Sequence, residues 1–295
     1  MIPAAVEYVR PSTVDDALAA LRDEDAKVLA GGQSLIPLLR LRLAAPTTLV
    51  DLGAIAELRG VREAGGELVI GAMTTHASVL VDPLVDRHAP LLAQATATVA
   101  DRQVRHLGTL GGSLAHADPA GDLPAVAVAL DATMDIAGPD GRRSVAAADF
   151  FVDYLTTALE PGEVLVAIRI PTHEGWLSHY EKFNRVAQAW ALVGVAAMVR
   201  RDNGAIAEAR VALTNMGTTP VRASAVESAL AGSATDAGAV AVAAAHAAEG
   251  TRPTADLSAS ADYRTHLAKV LTERAVLAAL RGRDTGGGGR GADAA

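Results

Sequence analysis

Two glycine pairs, Gly31-Gly32 and Gly111-Gly112, constrain this chain more than any other feature. Each is followed by a hydroxyl side chain, Ser34 and Ser113, and by apolar residues at helical spacing. Consecutive glycines permit positive φ and let successive backbone N–H groups converge on an anion. A helix opening directly after such a loop adds donors of the same sign. Two facing loops of this kind can hold a pair of phosphates without a cationic side chain. The plainer reading of either pair is a tight turn with a helix cap. Neither matches Gly-x-Gly-x-x-Gly or the P-loop pattern, so those two phosphate-binding folds are not indicated.

The pairs sit in a chain of 295 residues with 50% hydrophobic residues but only three Phe, two Trp and four Tyr, so the core is built from Ala, Val, Leu and Ile. That length predicts two domains. The net charge of −8 lacks the basic footprint of a nucleic-acid binder. There is no Cys, which removes disulfides, thiol nucleophiles and any cysteine-ligated cluster carried by this chain. Neither a secretory leader nor a membrane-length apolar run is visible, and the expected location is cytoplasmic.

The pattern predicts an N-terminal region that alternates helix and strand. A helix opens at Ser12 or Thr13, strands cover Lys27–Ala30 and Thr48–Leu52, and a helix covers Leu35–Leu43. Gly65-Gly66 separates the arms of a hairpin, Val61–Glu63 and Glu67–Ile70. A helix over Leu91–Ala100 and strands over Thr133–Ala137 and Val164–Ile170 follow. Pro171–Gly175 marks a domain boundary. Beyond it, Trp190–Val199 and Ala207–Thr214 read as a β-meander around the Asn203-Gly204 turn. Helices are expected over Val221–Ala231, Ala237–Ala248 and Tyr263–Leu280. The Gly-rich residues 283–295 read as a disordered tail.

Asp118 and Asp122 follow the second pair, where they can bind a ribityl or ribose hydroxyl; alternatively Asp118-Pro119 starts a turn and Asp122 caps a helix near Leu123. His76, His106 and His116 lack ligand spacing and an accompanying carboxylate cluster, so no metal site is expected. No Gly-x-Ser-x-Gly elbow supports Ser34 or Ser113 as a nucleophile. Trp190 can stack on a flat heterocycle or pack between domains.

As a set, Ala30-Gly31-Gly32-Gln33-Ser34-Leu35-Ile36-Pro37-Leu38-Leu39 and Thr109-Leu110-Gly111-Gly112-Ser113-Leu114-Ala115-His116-Ala117-Asp118-Pro119 resemble the flavoprotein subunit of the molybdenum hydroxylase family, typified by carbon monoxide and xanthine dehydrogenases. Supporting stretches include Gly71–His76, Gln103–Arg105, Gly162–Leu165, Tyr180–Phe183 and Tyr263–Leu267. The resemblance implies an α+β fold: a two-lobed FAD-binding domain of the PCMH type over 1–172 (lobes about 1–55 and 56–172), then a smaller domain over 176–282 with an antiparallel sheet and helices. It implies non-covalent FAD with its pyrophosphate against Ala30, Gly31, Gly32, Gln33 and Ser34 and against Thr109, Leu110, Gly111, Gly112 and Ser113. Asp122 then meets a polar part of the cofactor, Leu165 and Trp190 the ring, and Lys182 the flavin site. His106-Leu107 departs from the Asn-Arg frequent in the family, and Trp190 stands where relatives carry Tyr. The implied partners are a small iron–sulfur subunit and a large subunit with the molybdenum cofactor, as a dimer of heterotrimers. A Cys-free chain suits that division. The implied role is electron relay from the clusters to an external acceptor such as a quinone, NAD or dioxygen. A free-standing FAD oxidase and a flavin-free assembly subunit are the alternatives.

Overall fold

In the computed structural model, which describes residues Ile2–Gly282, the chain forms four sheets flanked by helices. The first lobe is a three-stranded parallel sheet: Thr48–Asp51 lies between Glu7–Val9 and Ala26–Leu29. Parallel strands need crossovers, and the helix Val14–Ala20 supplies the first. Thr13 caps it, accepting from the Asp16 amide at 3.1 Å, with Asp15 and Asp16 in the first turn. The second crossover contains Gly31-Gly32 and the helix Leu35–Leu41, two residues shorter than its apolar pattern suggests. Arg42 stops that helix in a left-handed conformation with φ 57°.

The second lobe is a five-stranded sheet in which Val164–Pro171 inserts between Glu67–Gly71 and Thr133–Gly138, antiparallel to both. Val61–Ala64 and Gly141–Ala146 form its edges, the first through the expected hairpin at Gly65-Gly66. One face carries Leu68, Ile70, Met134, Ile136 and Ile168 into a core shared with the helices Pro90–Ala97, Leu110–His116 and Asp122–Ala129. After Asp122 the last of these helices is apolar all round, and all eight of its residues are buried. Phe150 and Phe151 close this core in an edge-to-face pair 5.2 Å apart.

Trp176–Phe183 opens the second half as a strand that the polar, alternating sequence did not announce. It is the edge of a four-stranded antiparallel meander continuing through Val193–Asp202, Ala205–Thr214 and the short Val221–Arg222. The second strand therefore starts three residues after Trp190, which lies in the preceding loop. Val221–Arg222 pairs with the sheet, so the helix expected from Val221 begins at Ser224. The helices Ala237–Ala244 and Ala261–Arg281 complete the layer, and the long one buries Leu267, Leu271, Ala275 and Ala279 against the sheet. The tail over 283–295 lies outside the described residues.

The two halves are joined by side chains rather than by a linker alone. The Gln94 amide donates to the Ser178 carbonyl at 3.2 Å and accepts from the Tyr180 N–H at 3.1 Å. It thus occupies a ladder position on the open side of the edge strand. Asp131 binds Arg210 at 2.9 Å and also Arg222, both from the meander. The Asn215 amide donates to the Pro119 carbonyl at 2.8 Å.

Gly111 illustrates how closely these parts approach. A Cβ there would lie 2.5 Å from the Ala72 Cβ and 2.7 Å from the Ala72 carbonyl oxygen, and backbone cannot yield as a side chain can. Gly111→Ala should destabilise the chain by about 1–3 kcal/mol, the usual cost of overpacking. Thermal unfolding followed by circular dichroism checks this; an unchanged midpoint would show that the contact is loose.

Candidate functional site

The fold brings the two glycine loops into contact. A Cβ on Gly31 would collide with the Leu107 carbonyl and stand 2.7 Å from the Gly108 Cα. A Cβ on Gly112 would stand 3.4 Å from the Ala30 Cβ. These contacts join the end of the first-lobe strand to the start of the Leu110–His116 helix.

The loops are not equivalent. Only Gly32 of the four glycines has positive φ, 71°, so the paired nests expected from consecutive glycines reduce to one. Among the described residues, the amides of Gly31, Gly32, Gln33 and Ser34 donate to no protein acceptor, although all four residues are half-buried. The Ser34 hydroxyl makes no cap bond and is likewise unused. The Gln33 side chain folds back on the Gly31 carbonyl at 3.1 Å, stiffening the loop. Partly buried N–H groups without partners are costly, and a bound acceptor relieves that cost.

In the second loop Gly111-Gly112 falls inside the first helical turn. Leu110 donates to Thr74, Gly111 to Ala72 and Ser113 to Thr109 through their backbone groups. The Gly112 amide is held by the Thr109 hydroxyl at 3.1 Å, a cap that rotation of one side chain releases. This loop buttresses the first and retains the Ser113 hydroxyl and the Gly112 amide as donors. Leu165 connects to it through the sheet. Its neighbour Val166 accepts from the Ala72 amide at 2.9 Å, and the Ala72 carbonyl accepts from Gly111. Leu165 itself is 5% exposed and packs in the core that includes Leu110, Leu114 and Leu123.

Asp122 and Lys182 meet across the two halves. The Lys182 ammonium lies 2.8 Å from one Asp122 oxygen and donates to the Thr98 carbonyl at 3.1 Å. The Tyr180 hydroxyl donates to the other Asp122 oxygen at 2.7 Å. Tyr180 and Lys182 are two apart on one strand and so face the same way. Gly194, which pairs with Lys182 on the next strand, leaves room for the Tyr180 hydroxyl, which a Cβ there would strike. Burial pushes the Asp122 carboxyl above its usual range, although Lys182 and Tyr180 both oppose the rise. Burial, then the Asp122 charge, drives the Tyr180 phenol well above 10.0. Asp122 is the first residue of its helix, which Gly121 caps, so its side chain does not perform the capping that its position suggested. Asp118 does make a turn, its carboxylate accepting from the Ala120 amide at 2.9 Å.

Trp190 belongs to the loop that follows Lys182, closed by the Leu192 amide donating to the Phe183 carbonyl at 2.8 Å. It is 56% exposed and takes no part in interdomain packing as a buried residue. Phe183 pairs edge-to-face with Tyr263 nearby, centroids 6.5 Å apart. The structure therefore groups the Ala30–Ser34 and Thr109–Ser113 segments in one place and Asp122 with Lys182 in another, with Trp190 on the loop beyond.

The chain matches two family descriptions end to end: the FAD binding domain in molybdopterin dehydrogenase over residues 4–173, and the CO dehydrogenase flavoprotein C-terminal domain over residues 178–279. It belongs to the molybdopterin dehydrogenase flavoproteins. The carbon monoxide dehydrogenase medium chain of Hydrogenophaga pseudoflava is 43% identical over 95% of this chain and 98% of that one. The 6-hydroxypseudooxynicotine dehydrogenase complex subunit alpha of Paenarthrobacter nicotinovorans is 35% identical over 97% and 98%. A solved structure of the Hydrogenophaga pseudoflava carbon monoxide dehydrogenase superposes with TM-score 0.92 at 44% identity, covering 95% of this chain and 99% of that one. The chain is accordingly an oxidoreductase flavoprotein of the medium-subunit type, with an FAD-binding first domain and an α+β fold. Medium chains imply small and large companions. Among the described residues no helix is long and apolar enough to cross a membrane.

His76, set aside above as a metal ligand, has another place in this flavoprotein. Its amide donates to the Gly108 carbonyl at 2.9 Å, and its ring lies where a Cβ on Gly108 would fall. Its Nδ1 is buried without a partner, and burial, followed by the Arg105 charge, lowers its pKa to about 4. The unfolded chain, near 6.5, takes up this proton first. The stabilising contribution is thus complete above 6.5 and is lost as pH falls through 4. Between pH 7.5 and 4.5 the loss is on the order of 2–3 kcal/mol. The unfolding free energy from urea titration should change less between the two pH values in His76→Gln by that amount; equal changes would place the proton elsewhere.

Proposed function

We propose that this chain holds FAD non-covalently between its two glycine loops and relays electrons from a small iron–sulfur subunit to an external acceptor. The observation that carries the reading is the row of free, half-buried amides from Gly31 to Ser34, pressed against the Thr109–Ser113 turn. A diphosphate fits this donor set. Gly31, Gly32, Gln33 and Ser34 would donate to it through their amides and Ser34 and Ser113 through their hydroxyls, with Ala30 as the wall beside Gly112. Thr109 fixes the helix start, while Leu110 and Gly111 anchor that start to Thr74 and Ala72.

The ring end falls to Leu165, Lys182 and Trp190. Trp190 supplies an exposed aromatic face for stacking, and Leu165 an apolar contact. The buried Asp122–Lys182 pair acts through a fixed cation beside a polar edge of the cofactor, held from behind by Tyr180 and Thr98. FAD, when bound, supplies exchange between one-electron and two-electron partners; the chain holds the cofactor and excludes water from its phosphates. The domain division follows as 1–172 for the FAD-binding domain, with lobes about 1–55 and 56–172, and 176–282 for the smaller one. The companions we assign are a small iron–sulfur subunit and a large molybdenum subunit, assembled as a cytoplasmic dimer of heterotrimers. The medium-chain and complex-subunit names of the relatives support a multi-subunit enzyme.

Purified chain should show flavin bands near ~375 and ~450 nm that pass to the supernatant on heat denaturation, as unattached FAD does. Gly32→Val should lose most of that FAD, because a β-branched residue at φ 71° is strained and its Cβ would stand 2.7 Å from Ile36. A colourless chain that takes up no added FAD, or a folded Gly32→Val variant with full occupancy, would overturn the assignment.

A further inference from the structure

A second concavity, of about 670 Å³, lies on the face of the five-stranded sheet that turns toward the first lobe, and it has no part in the flavin reading. Register explains its shape. Gly71, Ala167, Asp135 and Ser144 are paired neighbours across four strands, so the row holds no large side chain and the sheet is indented. Val69 and Val166 complete an apolar floor, both 5% exposed.

Arginines form the walls, in a chain whose net charge is −8. Two of them are already saturated. Arg143 makes two 2.7 Å bonds to Glu163, and Arg169 reaches Asp135 at 3.1 Å and Glu67 at 3.2 Å. Three are not. The Arg62 side chain makes no hydrogen bond or ion pair among the described residues, while its backbone pairs with Val69. Arg59 is steadied by one bond to the Gly53 carbonyl, 2.6 Å, and meets no carboxylate. Arg142 meets only Glu57, at 3.1 Å across the groove, both side chains being about half exposed. An exposed bridge of that kind is worth at most about 1 kcal/mol and yields readily to a stronger anion.

We infer that this groove binds an organic phosphate of nucleotide size, its flat apolar part on the Val69–Gly71–Val166–Ala167 floor and its phosphates between Arg59, Arg62 and Arg142. The volume suits a small-molecule site, for which apolar walls with a few placed polar groups are usual. Guanidinium forks match phosphate oxygens two at a time, and Arg59 is already held in place for such a contact. Phosphate displaces Glu57 from Arg142, so Glu57 opposes binding.

The probe is ADP, titrated calorimetrically into chain saturated with FAD, which keeps the nucleotide out of the glycine loops. ADP should bind, and the Arg59→Ala/Arg62→Ala double variant should bind it about tenfold or more weakly with flavin absorbance unchanged. Glu57→Gln should bind it several-fold more tightly. Adenosine should fail, and inorganic pyrophosphate should bind more weakly than ADP because it cannot use the floor. No ADP binding, or equal affinity in the double variant, would overturn the site. Pyrophosphate binding as tightly as ADP would overturn the nucleotide assignment.

Discussion

Two segments from different lobes touch here with nothing but main chain between them, and that constraint organises the structure. Gly31 can lie on Leu107 and Gly108, and Gly111 on Ala72, because neither glycine carries a Cβ. A side chain at Gly31 would push the lobes apart by part of an ångström and one at Gly111 would strain the second lobe itself, because a backbone surface transmits such a shift instead of absorbing it. Among the described residues, the Gly31–Ser34 amides beside this contact donate to no protein acceptor. The loop is held by the Gln33 side chain on the Gly31 carbonyl and by its close approach to Leu107 and Gly108, which lowers the ordering cost left for binding.

The buried ion pair plays a different part. Asp122 and Lys182 have side chains only 4% and 6% exposed and come from opposite halves of the molecule. Removing two charges from water costs several kcal/mol each, so the pair is a poor source of stability by itself. Its hydrogen bonds from Tyr180 and to Thr98 satisfy the remaining polar valences, and this makes the arrangement tolerable and specific. A misdocked second domain would leave a bare buried charge, a larger penalty than a misplaced apolar contact. The pair thereby selects one relative position of the halves.

What the sequence disclosed follows the range of the interactions. The hairpin at Gly65-Gly66, the Thr13 cap and the long C-terminal helix depend on neighbours in the chain and are legible there. The two glycine loops are visible as motifs, but their inequality is not. It arises because Thr74 and Ala72, brought over by the sheet, consume the second loop's amides. The insertion of Val164–Pro171 between two earlier strands has no local signature. Trp176–Phe183 escaped notice because its faces mix Ser178, Glu181 and Lys182 with Leu177 and Tyr180, and one edge is satisfied by a side chain from another domain. Tyr180 and Lys182 do share a strand face in the sequence, a signal that becomes readable once the strand is recognised. The Trp190 loop was taken for the start of a strand because Ala191-Leu192-Val193 continues its apolar run.

The Gln94 amide has a consequence for how the molecule comes to exist. The outer edge of the Trp176–Phe183 strand would otherwise offer bare N–H and C=O groups to any passing chain, the usual seed of aggregation. Gln94 precedes that strand in the chain and takes up two of its outward-facing groups, the Ser178 carbonyl and the Tyr180 N–H. The first domain thus covers part of a sheet edge that belongs to the second. A C-terminal half expressed alone would meet the solvent with its edge unprotected.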